Sequence, residues 1–240
     1  LIRGTSSLLG IRTDLQFGKL KLSTIIAQKK SATSSVQTKG GVQLSTFEFS
    51  ADDYDENRHF FLAQYFRDHY DENMAQLPNI LSGVTINRAE VWVTNKTGQT
   101  TNTRNIIALT DLGEASKIHN PLWTPGSTTV PANAANTSYN IVSGINGVRN
   151  ISTATSALDG FGLTGGVDYE KLESARLLSP SEYKVNAALG YISLRSALQP
   201  DQVLAVAFEY TYRGTNYQVG EFSTDRKDNT ETLLLKSLKN

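Results

Sequence analysis

LSPSEYKVNAALGYISLRSALQPDQVLAVAFEYTYRGTNYQVGEF, residues 178–222, sets the fold class. Within it Ile192 and Leu194 alternate with Tyr191, Ser193 and Arg195, the period of two that a half-buried strand requires. Residues 203–212 are rich in β-formers and apolar on both parities, the pattern of a strand covered on both faces. Arg213-Gly214 reads as a turn that sends this strand back through residues 215–222. Ser179-Pro180-Ser181 and Gln199-Pro200-Asp201 supply further turns. The expected core is an antiparallel sheet with residues 203–208 at its centre.

Upstream, residues 84–94, bearing Trp92, read as a strand that turns at Asn95-Lys96-Thr97-Gly98 and returns through residues 104–110. Residues 42–49 read as a short strand and residues 169–177 as a short helical piece. Residues 118–166 are rich in Asn, Ser, Thr, Gly and Pro with few bulky apolar side chains, which predicts a long flexible loop. At the start of the chain, Leu15 and Phe17 occupy one parity and Leu20 and Leu22 the other, with Gly18 at the break. That phase change fits a bulge or a tight turn between two strands. Residues 19–28 have the length of a tilted strand crossing a bilayer, about ten residues, and fit an ordinary soluble hairpin equally well.

The block ADDYDENRHFFLAQYFRDHYDEN, residues 51–73, repeats Tyr-Asp-Glu-Asn at 54–57 and 70–73. At about 100° per residue Tyr54, Phe61 and Tyr65 fall on one arc, extended by Leu62, Phe66 and Tyr70. Asp55, Asn57, Gln64, Arg67 and Asp68 lie mostly outside it. This predicts one long amphipathic helix over about 52–75, capped by Asp52 or Asp53, with Asp55 and Glu56 in its first turn, ending before Pro78. Tyr54, Phe61, Leu62, Tyr65 and Phe66 are expected to pack against the sheet, with Asp55 and Asp68 facing water. The placement of Phe60, Phe61, Tyr65 and Phe66 separates a core helix, which buries them, from a docking surface, which exposes several.

Chemistry is hard to find in this block. Asp53-x-Asp55-x-Asn57 copies the opening ligands of a calcium loop, but Arg58 stands where Gly is needed and Gln64 where a bidentate Glu is needed. On a straight helix His59 and His69 would lie too far apart to share a metal. The acids between Asp52 and Asp71 are better explained as caps and a solvated face than as a glycosidase pair. Gly160-Phe161-Gly162-Leu163-Thr164-Gly165 matches a dinucleotide fingerprint by letter, without the buried strand that must precede it. His59, His69 and His119 are scattered, and no nucleophile motif accompanies them. No catalytic, cofactor-binding or metal-ligating residue is assigned, and an enzyme is not expected. Lys plus Arg equals Asp plus Glu at 23 each, so no net field favours nucleic acid. Cysteine is absent, which removes disulfides and thiol chemistry. The chain opens on Leu1 rather than Met, and it is expected to be an internal piece of something longer.

Several segments together resemble a known family: LGIRTDLQFGKLKLSTIIAQKKS, FSADDYDENRHFFLAQYFRDHYDEN, the 178–222 stretch extended to Leu177 and Ser223, and the closing LLLKSLKN. They are similar to the SprA (Sov) family, in its amino-terminal-type domain. That family is the giant outer-membrane translocon of the type 9 secretion system of Bacteroidetes, which also serves gliding motility. The resemblance implies a large β-barrel with domains inserted between its strands. It also implies partners: the remainder of the barrel, a shuttle barrel, a periplasmic plug and secreted cargo proteins. It implies no catalytic residue and no nucleic acid.

The resulting expectation is an α+β, mainly antiparallel domain inserted between outer-membrane β-barrel strands. Residues 1–30 would form a strand hairpin, 31–230 the insert, and 231–240 a return strand to the barrel. Its expected role is structural and gating, at the cell surface or, alternatively, on the periplasmic face. A binding module for cargo, peptidoglycan or glycan is the competing reading.

Overall fold

The computed structural model of the chain describes the backbone of residues 7–17 and 20–30 and all atoms of residues 55–239. It divides into two units, Leu1–Ser50 and Ala51–Asn240. In the first, β1 (Ser7–Phe17) and β2 (Leu20–Lys30) pair antiparallel without a register break from Phe17↔Leu20 to Ser7↔Lys30. The phase change therefore falls between two paired strands and not within one of them. Gly18 and Lys19, the predicted strand at 42–49 and the helix start with Asp52, Asp53 and Tyr54 lie outside the described residues.

The second unit is mostly β-sheet with a few short helices. In chain order its elements are β3 (His59–Phe61), α1 (Gln64–Asp68), α2 (Tyr70–Asn73), β4 (Val84–Val93), β5 (Thr103–Leu109), α3 (Ser138–Gly144) and α4 (Ile151–Phe161). They continue with β6 (Tyr169–Leu177), β7 (Tyr183–Asn186), β8 (Tyr191–Leu194), β9 (Leu204–Tyr212), β10 (Thr215–Val219) and β11 (Leu233–Lys239). Six strands follow the order β10-β9-β11-β5-β6-β4, and β4 also pairs with β9, so β9, β11, β5, β6 and β4 close on themselves. All pairings are antiparallel except β11 with β5. A separate small sheet has the order β3-β8-β7.

Closure sorts the side chains by parity. One cluster contains Trp92, Ile106, Ala108, Leu172, Ala175, Ala205, Ala207, Phe222, Leu233 and Leu235. Their strand neighbours Val91, Val93, Ile107, Leu109, Leu204, Val206, Phe208 and Leu234 belong to a second, larger cluster. The first lines the inside of the ring, where four alanines suit a narrow lumen; the second covers the outside, beneath the helices and the small sheet. Residues 203–208 are at the centre as expected, with Leu204 to Phe208 fully buried, β4 on one side and β11 followed by β10 on the other. Ile192 and Leu194 are buried and Tyr191 and Ser193 half-buried, as their alternation predicts. Arg213 (φ 49°) and Gly214 (φ 81°) form the two-residue hairpin between β9 and β10, a turn that needs positive φ at both positions.

Several expectations are corrected. No long helix spans 52–75 among the described residues. His59–Phe61 is a strand paired with β8, Ala63 is extended (φ −155°, ψ 161°), and the helical remainder splits at His69 (φ −99°, ψ 6°). The backbone there is satisfied by a neighbour distant in sequence, which overrides helical periodicity. Residues 169–177 are a strand, β6. Leu172 pairs with Ile106 and Ala175 with Arg104, so Glu173 and Ser174 together oppose Asn105. This bulge, with Ser174 at φ 49°, keeps both Leu172 and Ala175 facing inward and mimics a helical spacing of three.

Residues 118–166 are not a loop throughout. They contain α3 and α4, the latter capped by Asn150, whose side chain accepts from the Ser152 amide. Val142, Val148, Ala154 and Leu158 are fully buried, so a small apolar stripe is enough to seat these helices on the outside of the ring. β4 and β5 do not form a hairpin, because β6 lies between them. The closing strand, expected to return to a membrane barrel, is instead inserted between β9 and β5, with Leu233 to Leu235 fully buried.

Candidate functional site

A cleft of about 430 Å³ in the second unit is bordered by β3, α1, the segment after β5 and the end of β11. Its floor is an ion pair: Lys236 Nζ lies 2.7 Å from Glu114 Oε1. Lys236 also donates to the carbonyls of Thr110 (3.2 Å) and Leu112 (3.1 Å), and Glu114 accepts from the Gln64 amide (3.1 Å). Asp111 is committed as well, accepting from the His119 and Asn120 amides at 2.9 and 2.8 Å. Lys117 pairs with Asp68 at the rim, and the Lys117 hydrogen bond holds the Asp68 carboxyl below its ordinary value despite the opposing effect of burial. These groups hold one another in place, and none is left free beside a second as a general acid or base would be.

The histidines are dispersed in the same way. His59 Nδ1 contacts Ser193 Oγ at 2.8 Å and its Nε2 lies 3.4 Å from Asp55, which also pairs with Arg58. His69 Nδ1 contacts the Tyr65 carbonyl at 2.8 Å. Among the described residues no group of three or more His, Cys, Asp or Glu is placed to hold a metal ion. The glycine fingerprint sits at the C-terminus of α4, where Gly162 (φ 98°) is its left-handed cap. A dinucleotide fingerprint opens a helix instead.

Phe60, Phe61, Tyr65 and Phe66 of the 51–73 block belong to the core or pack against it. Leu62 and Phe66 are buried, and Phe60, Phe61 and Tyr65 are half-buried against them, while Asp55 and Asp68 are exposed. Phe66 meets Phe208 and Tyr210 edge-on at 6.1 and 5.6 Å. Phe61 meets Tyr70 and Tyr191 at 5.6 and 5.9 Å, beside a hollow of about 250 Å³ bounded also by His59 and Phe60.

Two buried polar centres escape a motif search. Glu221 accepts from Arg149 (2.6 and 2.7 Å), Arg226 (3.0 Å), Tyr139 (3.0 Å) and the Leu234 amide (2.9 Å), which ties α3 and the start of α4 to β11. Arg104 donates to the carbonyls of Ser223, Asp228 and Glu231 and to Asn229 Oδ1, which fastens the connection from β10 to β11. The available signal was a charged residue inside an apolar run, as with Lys236 in Leu-Leu-Leu-Lys.

A family model described as motility related/secretion protein, SprA_N, matches residues 3–196. The chain belongs to the SprA_N family. No curated protein matches it. The SprA_N match takes in both strands of the first unit and the second unit through β8. The closed ring of this SprA_N chain is completed by β9 and β11, beyond residue 196, so the folded unit extends past the matched segment.

Proposed function

We propose that the chain is a non-catalytic structural and gating domain of an outer-membrane protein-translocation channel serving type 9 secretion and gliding motility. Membership of a motility and secretion family carries this reading, because one match includes both the hairpin and the larger unit through β8. The hairpin supports it: two antiparallel strands of 11 residues have the length of outer-membrane barrel strands, about 9–11 residues. An isolated two-stranded sheet is at best marginal in water, so further strands are needed beside it. The larger unit supplies a closed ring of strands with buried ion pairs such as Lys236–Glu114 and Arg149–Glu221, which suits a plug or rim. Its partners are then the remainder of the barrel, the shuttle barrel, the periplasmic plug and secreted cargo.

On this reading the second unit is exposed on the cell surface. A protease-cleavable epitope inserted at the exposed residues 100–102 tests it. Cleavage on intact cells supports surface exposure, whereas cleavage only after the outer membrane is opened overturns it in favour of the periplasmic face. The second reading, a binding module, is favoured by the cleft between β3 and β11.

A further inference from the structure

Three consecutive residues of β3, His59 to Phe61, and three of β11, Lys236 to Leu238, border the same cleft. A strand face presents every second residue, whereas a strand edge or a strand end presents consecutive ones. The cleft is therefore bounded by the edge of β3 and by the last residues of β11.

Among the described residues the outer edge of β3 carries no paired strand, whereas β11 lies inside its sheet and is unpaired on one side only past its last partner in β5. The Leu62 amide donates to the Gly190 carbonyl (2.9 Å) and the Leu194 amide to the Arg58 carbonyl (2.8 Å), so residues 58, 60 and 62 turn their backbone groups toward β8. His59 and Phe61 turn theirs outward, and β3 is the last strand of its sheet. On the other side, pairing of β11 with β5 ends at Lys236↔Leu109, and Leu238 sits in an irregularity of the β9 register.

The two faces flanking β3 differ. On the face of His59 and Phe61 lies the aromatic hollow with Tyr70 and Tyr191. Within the cleft stand the cations Arg67 and Lys117, both about half exposed and sharing the single Asp68 carboxylate, which leaves one positive charge in excess, and Gln64, whose buried Oε1 has no hydrogen-bond partner.

We propose that this cleft binds an extended acidic peptide segment of a partner protein by strand addition to β3, with alternate side chains entering the aromatic hollow and facing Arg67 and Lys117. Main-chain hydrogen bonds to His59 and Phe61 supply affinity, and the alternation of apolar and acidic side chains supplies selectivity. The volume falls in the range of ligand clefts, about 300–1,000 Å³. The proposal deepens the binding-module reading and does not depend on which side of the membrane the unit occupies.

The probe is a fluorescein-labelled peptide, Val-Asp-Phe-Glu-Val-Asp-Phe, added to the purified full chain. Two further versions carry N-methyl groups on one or the other alternating set of amides. The expected result is saturable binding, weakened about tenfold by one methylated set and little by the other, since only one side of an added strand pairs with β3. Amide exchange should slow at His59 and Phe61 and stay unchanged at Phe60. The exposed double variant Arg67→Glu with Lys117→Glu should weaken the acidic peptide about fivefold and favour a Lys-substituted one. Absence of saturable binding, equal loss with both methylated sets, or protection at another strand edge such as β10 would each overturn the proposal.

Discussion

Lys236 of β11 and Glu114, in the segment after β5, form an ion pair with both side chains at most 5 % exposed. With the Thr110 and Leu112 carbonyls and the Gln64 amide, the pair joins β11, the 110–114 segment and the start of α1. Desolvation makes such a pair a modest net stabiliser, but its loss on one side leaves a buried charge alone.

Lys236→Met or Glu114→Gln is therefore expected to cost about 3–5 kcal/mol, whereas Lys236→Met combined with Glu114→Leu should recover more than half of that. Urea denaturation of the two single variants and the double variant checks it. Equal or larger loss in the double variant would show that packing, not charge, dominates the site.

Glu221 governs the acid limit. Burial alone would raise its pKa, but hydrogen bonds from Arg149 and the Leu234 amide, with the Arg149 charge and the Arg226 contact, outweigh it and hold the carboxyl below the ordinary glutamate value. A lowered folded pKa contributes stability that is complete above the ordinary value and lost as pH falls through the lowered one. Denaturation midpoints measured from pH 7 downward should decline over that window, and Glu221→Gln should flatten the decline while lowering stability at pH 7.

Tyr169 governs part of the alkaline limit. Burial, followed by its 2.7 Å hydrogen bond to Asp159, pushes its phenol up to about 12. A raised folded pKa contributes stability that is complete below the ordinary tyrosine value and lost as pH rises through about 12. Phenolate absorbance should show a late-titrating step whose amplitude Tyr169→Phe lowers by one tyrosine, the remainder coming from other raised phenols such as Tyr65.

Gly190 tests the seat of the aromatic block. It has φ 66°, and a Cβ there would meet the Phe66 ring at 2.4 Å. Gly190→Ala combines backbone strain with overpacking and should cost about 2–4 kcal/mol by thermal or urea denaturation. A neutral result would mean that Phe66 can move away from Phe208 and Tyr210.

The sequence was most legible where a signal is local. Alternation at 191–195, the doubly apolar run at 203–208 and the Arg213-Gly214 turn are properties of a few adjacent residues, and each has its predicted structure. The burial of Leu62 and Phe66 was legible too, but not the conformation around them. Helical periodicity and a strand followed by short helices can bury the same side chains. Lys236, Glu221 and Arg104 were unreadable as a group, because their partners lie far along the chain.

By itself the sequence determined the predominance of β-structure, the central strand, the neutral and cysteine-free surface, and the family resemblance that the SprA_N match supports. The tertiary structure alone decided that β9, β11, β5, β6 and β4 close into a ring, that the final strand runs parallel to β5 inside it, and that a cleft lies between the outer edge of β3 and the end of β11. Strand conformation follows from local sterics and side-chain period, whereas strand order depends on which distant backbone groups meet.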